Sequence, residues 1–288
     1  MKNTIIAFSL ILFSLTIFAQ EPADTSYWKK GGMGTLTFSQ VSFYQWASGG
    51  ENSYSGNAFL NLFANYKKEN IVWDNTIGLG YGLLKQGTLT KKSDDRIDFT
   101  SMFGMKASEK WNYSAMLGFK TQFDKGYNYP DVSSKISDLF SPAYLTISAG
   151  MDYKPNDRFN VFISPVTGKM TFVVDDTLSM AGAFGVTPGE KFRAEFGGFV
   201  KVFYKQAIME NVEMQAKIDL FSNYLNNPGN IDVNAEFLIA MKINEFLAAT
   251  FNTMLIYDDD VSVLRSDDSS GPGLQVKEVF GVGLSYKF

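Results

Sequence analysis

Nine charged side chains in the second half of the chain recur at even spacing: Arg193, Glu195 and Lys201; Glu213, Lys217 and Asp219; Asp232, Glu236 and Lys242. Apolar residues interleave with them, as in Phe192, Ala194 and Phe196 around the first group and Met214, Ala216, Ile218 and Leu220 around the second. Successive side chains of an extended chain point to opposite faces, so each group occupies one face of a strand and the apolar residues the other. A face that mixes both signs supports two kinds of chemistry. It lines a water-filled passage, or it pairs into salt bridges that fill a narrow interior. A selective ion pore calls for a ladder of one sign, which this sequence does not carry.

Other chemistry is restricted by what is missing. The chain has no histidine and no cysteine. That removes Ser-His-Asp hydrolysis, thiol chemistry, disulfides and nearly every zinc site. Glu213 and Glu236 on neighbouring strands could in principle serve glycoside hydrolysis, but a charged interior explains both more simply. Asp258-Asp259-Asp260 and Asp267-Asp268 offer oxygen atoms to calcium without the spacing of a calcium loop. No metal, cofactor or catalytic residue is therefore expected, and the chain reads as non-enzymatic. A net charge of −4 leaves no footprint for nucleic acid.

The elements that position these charges follow from the same alternation, which recurs in twelve segments. They run over residues 34–43, 54–66, 71–83, 96–107, 111–123, 143–154, 159–173, 191–205, 212–224, 231–243, 247–257 and 274–288. Pro165 and Gly168 predict a break or bulge in the seventh, and the glycines at 78, 80 and 82 predict a crowded or curved wall in the third. Aromatic residues make up 15% of the chain, with 26 Phe and 14 Tyr, as membrane-interface girdles require. The expected fold is all-β: a single-domain antiparallel transmembrane β-barrel of twelve strands. Its charges must face the lumen, because Arg or Lys on the lipid face costs about 2–4 kcal/mol at the midplane. Short connections near 67–70, 108–110, 155–157, 206–210 and 244–245 alternate with longer ones near 44–53, 84–95, 124–142, 174–190, 225–230 and 258–273. That pattern predicts short periplasmic turns, longer extracellular loops and both ends of the barrel on the periplasmic side.

The two ends of the sequence agree with an outer-membrane location. Lys2 followed by an apolar stretch from Ile5 to Phe18 and by Ala19-Gln20 reads as a signal peptide over 1–19, then a polar leader over 20–30 and the barrel over 31–288. At the other end, Val282, Leu284, Tyr286 and Phe288 share one strand face and Gly281, Gly283, Ser285 and Lys287 the other. The Gly283, Tyr286, Phe288 pattern resembles the C-terminal signal by which the barrel-assembly machinery recognises its clients, with Val282 in place of the usual polar residue.

A family resemblance rests on Trp46-Ala47-Ser48-Gly49-Gly50-Glu51-Asn52, Trp73-Asp74-Asn75, Lys92-Ser93-Asp94-Asp95, Thr121-Gln122-Phe123 with Gly126-Tyr127, and Ser141-Pro142-Ala143-Tyr144. These blocks resemble an uncharacterised Bacteroidota family of outer-membrane barrels, a domain of unknown function. The resemblance implies the fold and no ligand or reaction. Physically, Trp46 before Gly49-Gly50 reads as an interfacial anchor with a loop turn, or as a stacking platform for sugar or peptide. Asp94 and Asp95 read as a solvated strand end; the other reading is an inward ion pair with Arg96 or a rim cation site. Lys85, Lys91 and Lys92 could meet lipopolysaccharide phosphates. The expected role is a narrow, porin-like pore or binding barrel for small hydrophilic solutes. Its rival is an accessory barrel docking an envelope protein. Expected partners are outer-membrane lipid and lipopolysaccharide, with the assembly machinery during biogenesis.

Overall fold

Twelve of the strands close into one sheet in a computed structural model that describes residues 26–44, 50–264 and 269–288. In chain order the strands are β1 (Trp28–Val41), β2 (Ser53–Lys68), β3 (Ile71–Gln86), β4 (Leu89–Lys106), β5 (Trp111–Thr121), β6 (Gly126–Asn128), β7 (Asp131–Ser137) and β8 (Ala143–Asn156). They continue as β9 (Phe159–Phe172), β10 (Phe192–Met209), β11 (Val212–Asn223), β12 (Ile231–Lys242), β13 (Leu247–Tyr257), β14 (Ser262–Leu264), β15 (Ser270–Pro272) and β16 (Gln275–Lys287). The barrel runs β1-β16-β13-β12-β11-β10-β9-β8-β5-β4-β3-β2, while β6 with β7 and β14 with β15 form hairpins inside two long connections. Every barrel strand corresponds to one of the twelve alternating segments. The expected signal peptide, most of the expected leader, Trp46 and Asp267-Asp268 lie outside the described residues.

Three boundaries differ most from the sequence reading. β1 begins at Trp28, so the end of the expected leader belongs to the barrel. β10 runs on to Met209. The third connection, expected to be long, is a tight hairpin: Gln86 pairs with Leu89, and Gly87 takes a φ of 56°. Glycine adopts that left-handed conformation at no steric cost, so the strands continue through polar residues that read as loop. The ladder slips between Gly82 and Leu83 to allow it.

The bulge at Pro165 is present. Pairing of β10 with β9 jumps from Phe199–Ser164 to Gly197–Thr167, leaving Pro165 and Val166 outside the ladder. Proline cannot donate to a ladder, and a hydroxyl group sits in the gap: Ser164 Oγ lies 2.8 Å from the carbonyls of both Ala149 and Val166, with its single proton to donate to one of them at a time. The glycine wall of β3 is crowded as expected. A methyl group on Gly80 would come within 3.0–3.1 Å of Phe59 and Arg96, and one on Gly82 would meet Asn57 and Ser93.

Outside, the barrel is apolar between two aromatic bands, the surface of a membrane-spanning barrel. At the short-turn rim Trp28 packs on Tyr66 and Trp73, Trp111 on Tyr153, and Phe159 on Tyr204. Toward the long-loop rim Phe119 packs on Phe140, Phe172 on Phe192, and Phe196 on Tyr224. The polar groups on this face are satisfied locally. Trp73 Nε1 donates to Ser101 Oγ at 2.8 Å, and Ser101 donates to Asn75 Oδ1 at 2.8 Å.

A short helix, α1 (Asp176–Met180), lies in the connection after β9. Asp175 caps it by accepting the amide of Leu178. Val173, Leu178 and Val186 bury themselves there against Ala183 and Phe184, a small core that ties the loop to the barrel rim.

Candidate functional site

The inward faces of the strands meet in the lumen, where charges pair across the barrel rather than standing free. Arg96 on β4 donates to Glu236 on β12 at 2.8 Å, although five strands intervene on either side. Asn252 and Lys217 also reach Glu236, at 2.8 and 3.7 Å. Asp219 on β11 accepts from Lys201 on the adjacent strand at 2.7 Å and from Lys120, three strands further round, at 3.0 Å. Lys277 on β16 reaches Asp94 on β4 at 2.8 Å, and Lys154 on β8 reaches Asp74 on β3 at 2.9 Å.

A second cluster sits toward the long-loop rim. Lys169 reaches Asp232 at 2.6 Å, Asp258 at 3.2 Å and Glu195 at 3.6 Å. Arg193 pairs with Glu195 at 2.7 Å and with Asp260, and also donates to the Gly185 carbonyl at 3.2 Å. Two long connections therefore converge on Arg193. Between this cluster and the Lys201–Asp219 pair lies an apolar plug of Met116, Phe162, Phe199 and Phe221, with Met102 against it. On β10 the inward order is Glu195, Phe199, Lys201, so charge and apolar filling form successive layers.

Of the nine charges expected in the lumen, seven enter these cross-lumen or rim clusters. Glu213 instead pairs with Lys205 at 2.8 Å within the β10–β11 hairpin, half-exposed at the short-turn rim. Lys242 ends β12 at the same rim and is exposed. The glycosidase geometry fails. Glu236 lies opposite Lys217, and Glu213 lies opposite Ala240. The offset of four steps along the strand separates the carboxylates by about 13 Å, beyond the range for either hydrolytic geometry. Asp94 and Asp95 are not a solvated strand end. Asp94 is buried against Lys277, while Asp95 pairs with Lys92 at 2.8 Å and accepts the amides of Phe123 and Asp124 at 2.7 and 2.9 Å. The Asp258–Asp260 run is engaged by Lys169, Arg193 and Asn230. Among the described residues no group of side chains is arranged to hold a metal ion.

The opposite wall has a different chemistry. Asn57, Asn61 and Asn65 on β2 and Thr76 and Gly78 on β3 face the lumen, uncharged and partly or fully accessible. By contrast Ser114, Ser148, Phe162, Ser164 and Thr167 on β5, β8 and β9 are buried. The interior is thus filled on one side, while on the other partly accessible asparagines alternate with Phe59 and Phe63 along β2, beside Asp74, which pairs with Lys154. Asp98, Lys120, Lys169 and Lys277 belong to the ionic network but escaped the sequence reading; their signal was the inward parity of strands already recognised.

The class defined by this fold and interior is a membrane-spanning barrel with a layered, ion-paired lumen. Residues 38–127 match a family model described as a protein of unknown function (DUF3078). That span contains the Trp73-Asp74-Asn75, Lys92 to Asp95 and Thr121 to Tyr127 blocks. No curated protein matches the sequence. Among solved structures, an outer-membrane channel from Pseudomonas putida F1 is similar at 9% identity and a TM-score of 0.41, covering 93% of this chain and 100% of that one. The NanC porin is similar at 8% identity and a TM-score of 0.37, over 88% of this chain and 98% of its own. The translocator domain of the autotransporter NalP from Neisseria meningitidis is similar at 10% identity and a TM-score of 0.30, over 93% and 90%. The barrel assignment rests on this chain's own strand pairing.

Proposed function

We propose that the protein is a non-enzymatic outer-membrane barrel that binds or passes small hydrophilic solutes along the neutral wall of its lumen. The short-turn rim then faces the periplasm and the long loops face outward, toward lipopolysaccharide. One observation carries this reading. The lumen charges are spent on one another, as in Arg96–Glu236 and Lys277–Asp94, while Asn57 and Asn61 remain partly accessible and Thr76 is exposed. Amide and hydroxyl groups exchange hydrogen bonds with uncharged polar solutes without selecting a sign. Swelling of proteoliposomes in small sugars and polyols tests it: swelling that slows with solute size is expected, and none from correctly folded protein would refute passage.

A second reading, an accessory barrel whose loops dock an envelope protein, is favoured by the apolar plug and by exposed Val132, Ile136 and Leu139 on the β7 side of a long connection. It predicts a reproducible stoichiometric partner on purification from native membranes. Repeated recovery of the barrel alone would remove it.

A further inference from the structure

The barrel closes by an incomplete ladder. β1 and β16 pair over five positions, from Met33–Lys287 to Thr37–Gly283, and Gly32 and Phe288 exchange amide hydrogen bonds one step beyond. Every other pair of neighbours in the barrel shares ten positions or more. Past Thr37, β1 stays on β2 as far as Val41–Ser53, and β16 stays on β13 as far as Gln275–Ile256. The two facing edges carry no ladder between them there. The zipped stretch spans about 17 Å along the strands, or about 13 Å of depth at barrel tilt, against an apolar band about 25 Å tall. Pairing therefore ends near the middle of the membrane.

The break has a chemical character on each side. Outside, Phe38 and Phe280 flank it and are each 66% exposed. Just below it, an apolar trough of about 620 Å³ crosses the outer faces of β16, β1, β2 and β3. Leu36 and Leu284 of the seam line it with Leu60 and Leu79, and Gly34 and Ala58 give it depth. Inside, the ladder ends beside the buried Thr37, which accepts from Asn57 at 3.4 Å, and near the partly exposed Asn57 and Asn252, all uncharged. The charges beside it are paired: Lys277 with Asp94 at 2.8 Å, and Glu236, to which Asn252 donates at 2.8 Å, with Arg96. Glycines allow the close approach where the ladder ends: a methyl group on Gly283 would collide with the Leu36 carbonyl, and one on Gly281 would lie 2.8 Å from the Thr37 side chain.

Unpaired strand edges cannot face hydrocarbon, because each unsatisfied amide or carbonyl costs several kcal/mol there, roughly the penalty that confines membrane strands to closed barrels. The edges must meet water from the lumen or the polar part of a ligand. We propose that the upper seam is a lateral portal for a bilayer-dissolved amphiphile. Its hydrocarbon tail lies in the trough, and its uncharged, hydrogen-bonding head passes between β1 and β16 to Thr37, Asn57 and Asn252. The continuity of apolar trough, open edge and neutral polar lumen specifies that occupant. The portal stands or falls separately from solute passage along the axis.

The chain lacks cysteine, so a single introduced pair reports cleanly. Continuing the Thr37–Gly283 register by three steps places Gln40 opposite Phe280. The double variant Gln40→Cys, Phe280→Cys is reconstituted in liposomes with a dodecyl glucoside carrying a diazirine on its sugar, and labelled positions are mapped by mass spectrometry. Labelling of Thr37 and Asn57 in the reduced protein, lost on oxidation and regained on reduction, supports the portal. Labelling unchanged by oxidation, or confined to trough residues in both states, overturns it. If the pair disturbs assembly, Val279→Cys alone decides. Its reaction with a bilayer-dissolved maleimide supports the portal, and protection in liposomes from a reagent that modifies it after unfolding overturns it.

Discussion

Arg96 and Glu236 hold each other at 2.8 Å from strands that lie diametrically opposite in the barrel. No local turn brings them together; only closure of the sheet does. The Arg96 guanidinium also lies over the Phe59 ring, 5.5 Å from its centroid, so a third strand fixes its position. Replacing Glu236 by Gln keeps an acceptor and removes the countercharge, and is expected to lower stability by about 1–2 kcal/mol. The double replacement Arg96→Met, Glu236→Leu should recover most of that loss, since no unpaired charge remains. Urea unfolding of the three variants in liposomes checks the order.

The loop hairpin should loosen in acid. Lys135 pairs with Asp175, the cap of α1, and with Asp138 at 3.0 Å. Its ammonium lowers the Asp175 carboxyl by direct hydrogen bonding; burial acts to raise Asp138, but Lys135 outweighs it and leaves that group low as well. The same bonds raise Lys135. Depressed carboxylates contribute stability that is complete above about pH 4 and lost as pH falls through their folded values, and the raised lysine contribution is lost only above about pH 10. Hydrogen exchange over residues 131–138 should therefore be slow between these limits and accelerate below the lower one, while the barrel strands stay protected. Lys135→Met should exchange fast at every pH; an unchanged wild-type rate in acid would refute the pairing.

Gly283 is a steric prediction. Valine there would drive its side chain into the Leu36 carbonyl at the last rung of the seam. A cost of about 3 kcal/mol or more is expected from forcing the strands apart. The folded fraction, read from heat-modifiable gel mobility, should fall sharply in Gly283→Val, whereas the same change at Gly229, which meets nothing nearby, should leave it intact.

Phe288 sits one position below that ladder, exchanging both amide bonds with Gly32, and its ring stacks on Tyr286 at 6.1 Å. Deleting it removes the closing rung and one aromatic of the short-turn rim. Membrane assembly should drop, while the deletion molecules that do insert keep wild-type solute behaviour. Normal insertion would contradict an assembly role for the C-terminal pattern.

Much of the barrel was legible because membrane strands must alternate. The Val212–Asn223 and Ile231–Lys242 strands were visible residue by residue, and the parity of Arg193, Glu195 and Lys201 gave their face. The β3–β4 hairpin was missed because its tip, from Lys85 to Lys92, leaves the apolar band and loses the apolar half of the pattern. Cross-lumen partners such as Lys120–Asp219 were invisible for another reason: alternation assigns a face to each strand and says nothing of distance round the ring. The half-zipped seam joins the first and last barrel strands, so no neighbouring pattern in the sequence records it.

On the proposed function, the Arg96–Glu236 strut restrains a narrow hydrophilic lumen. Single-channel recording of folded wild-type protein and Glu236→Gln in planar bilayers tests it most directly. Small, stable ohmic steps from the wild type and larger ones from the variant are predicted; repeated silence from both, with folded barrels verified in the same membranes, would contradict it.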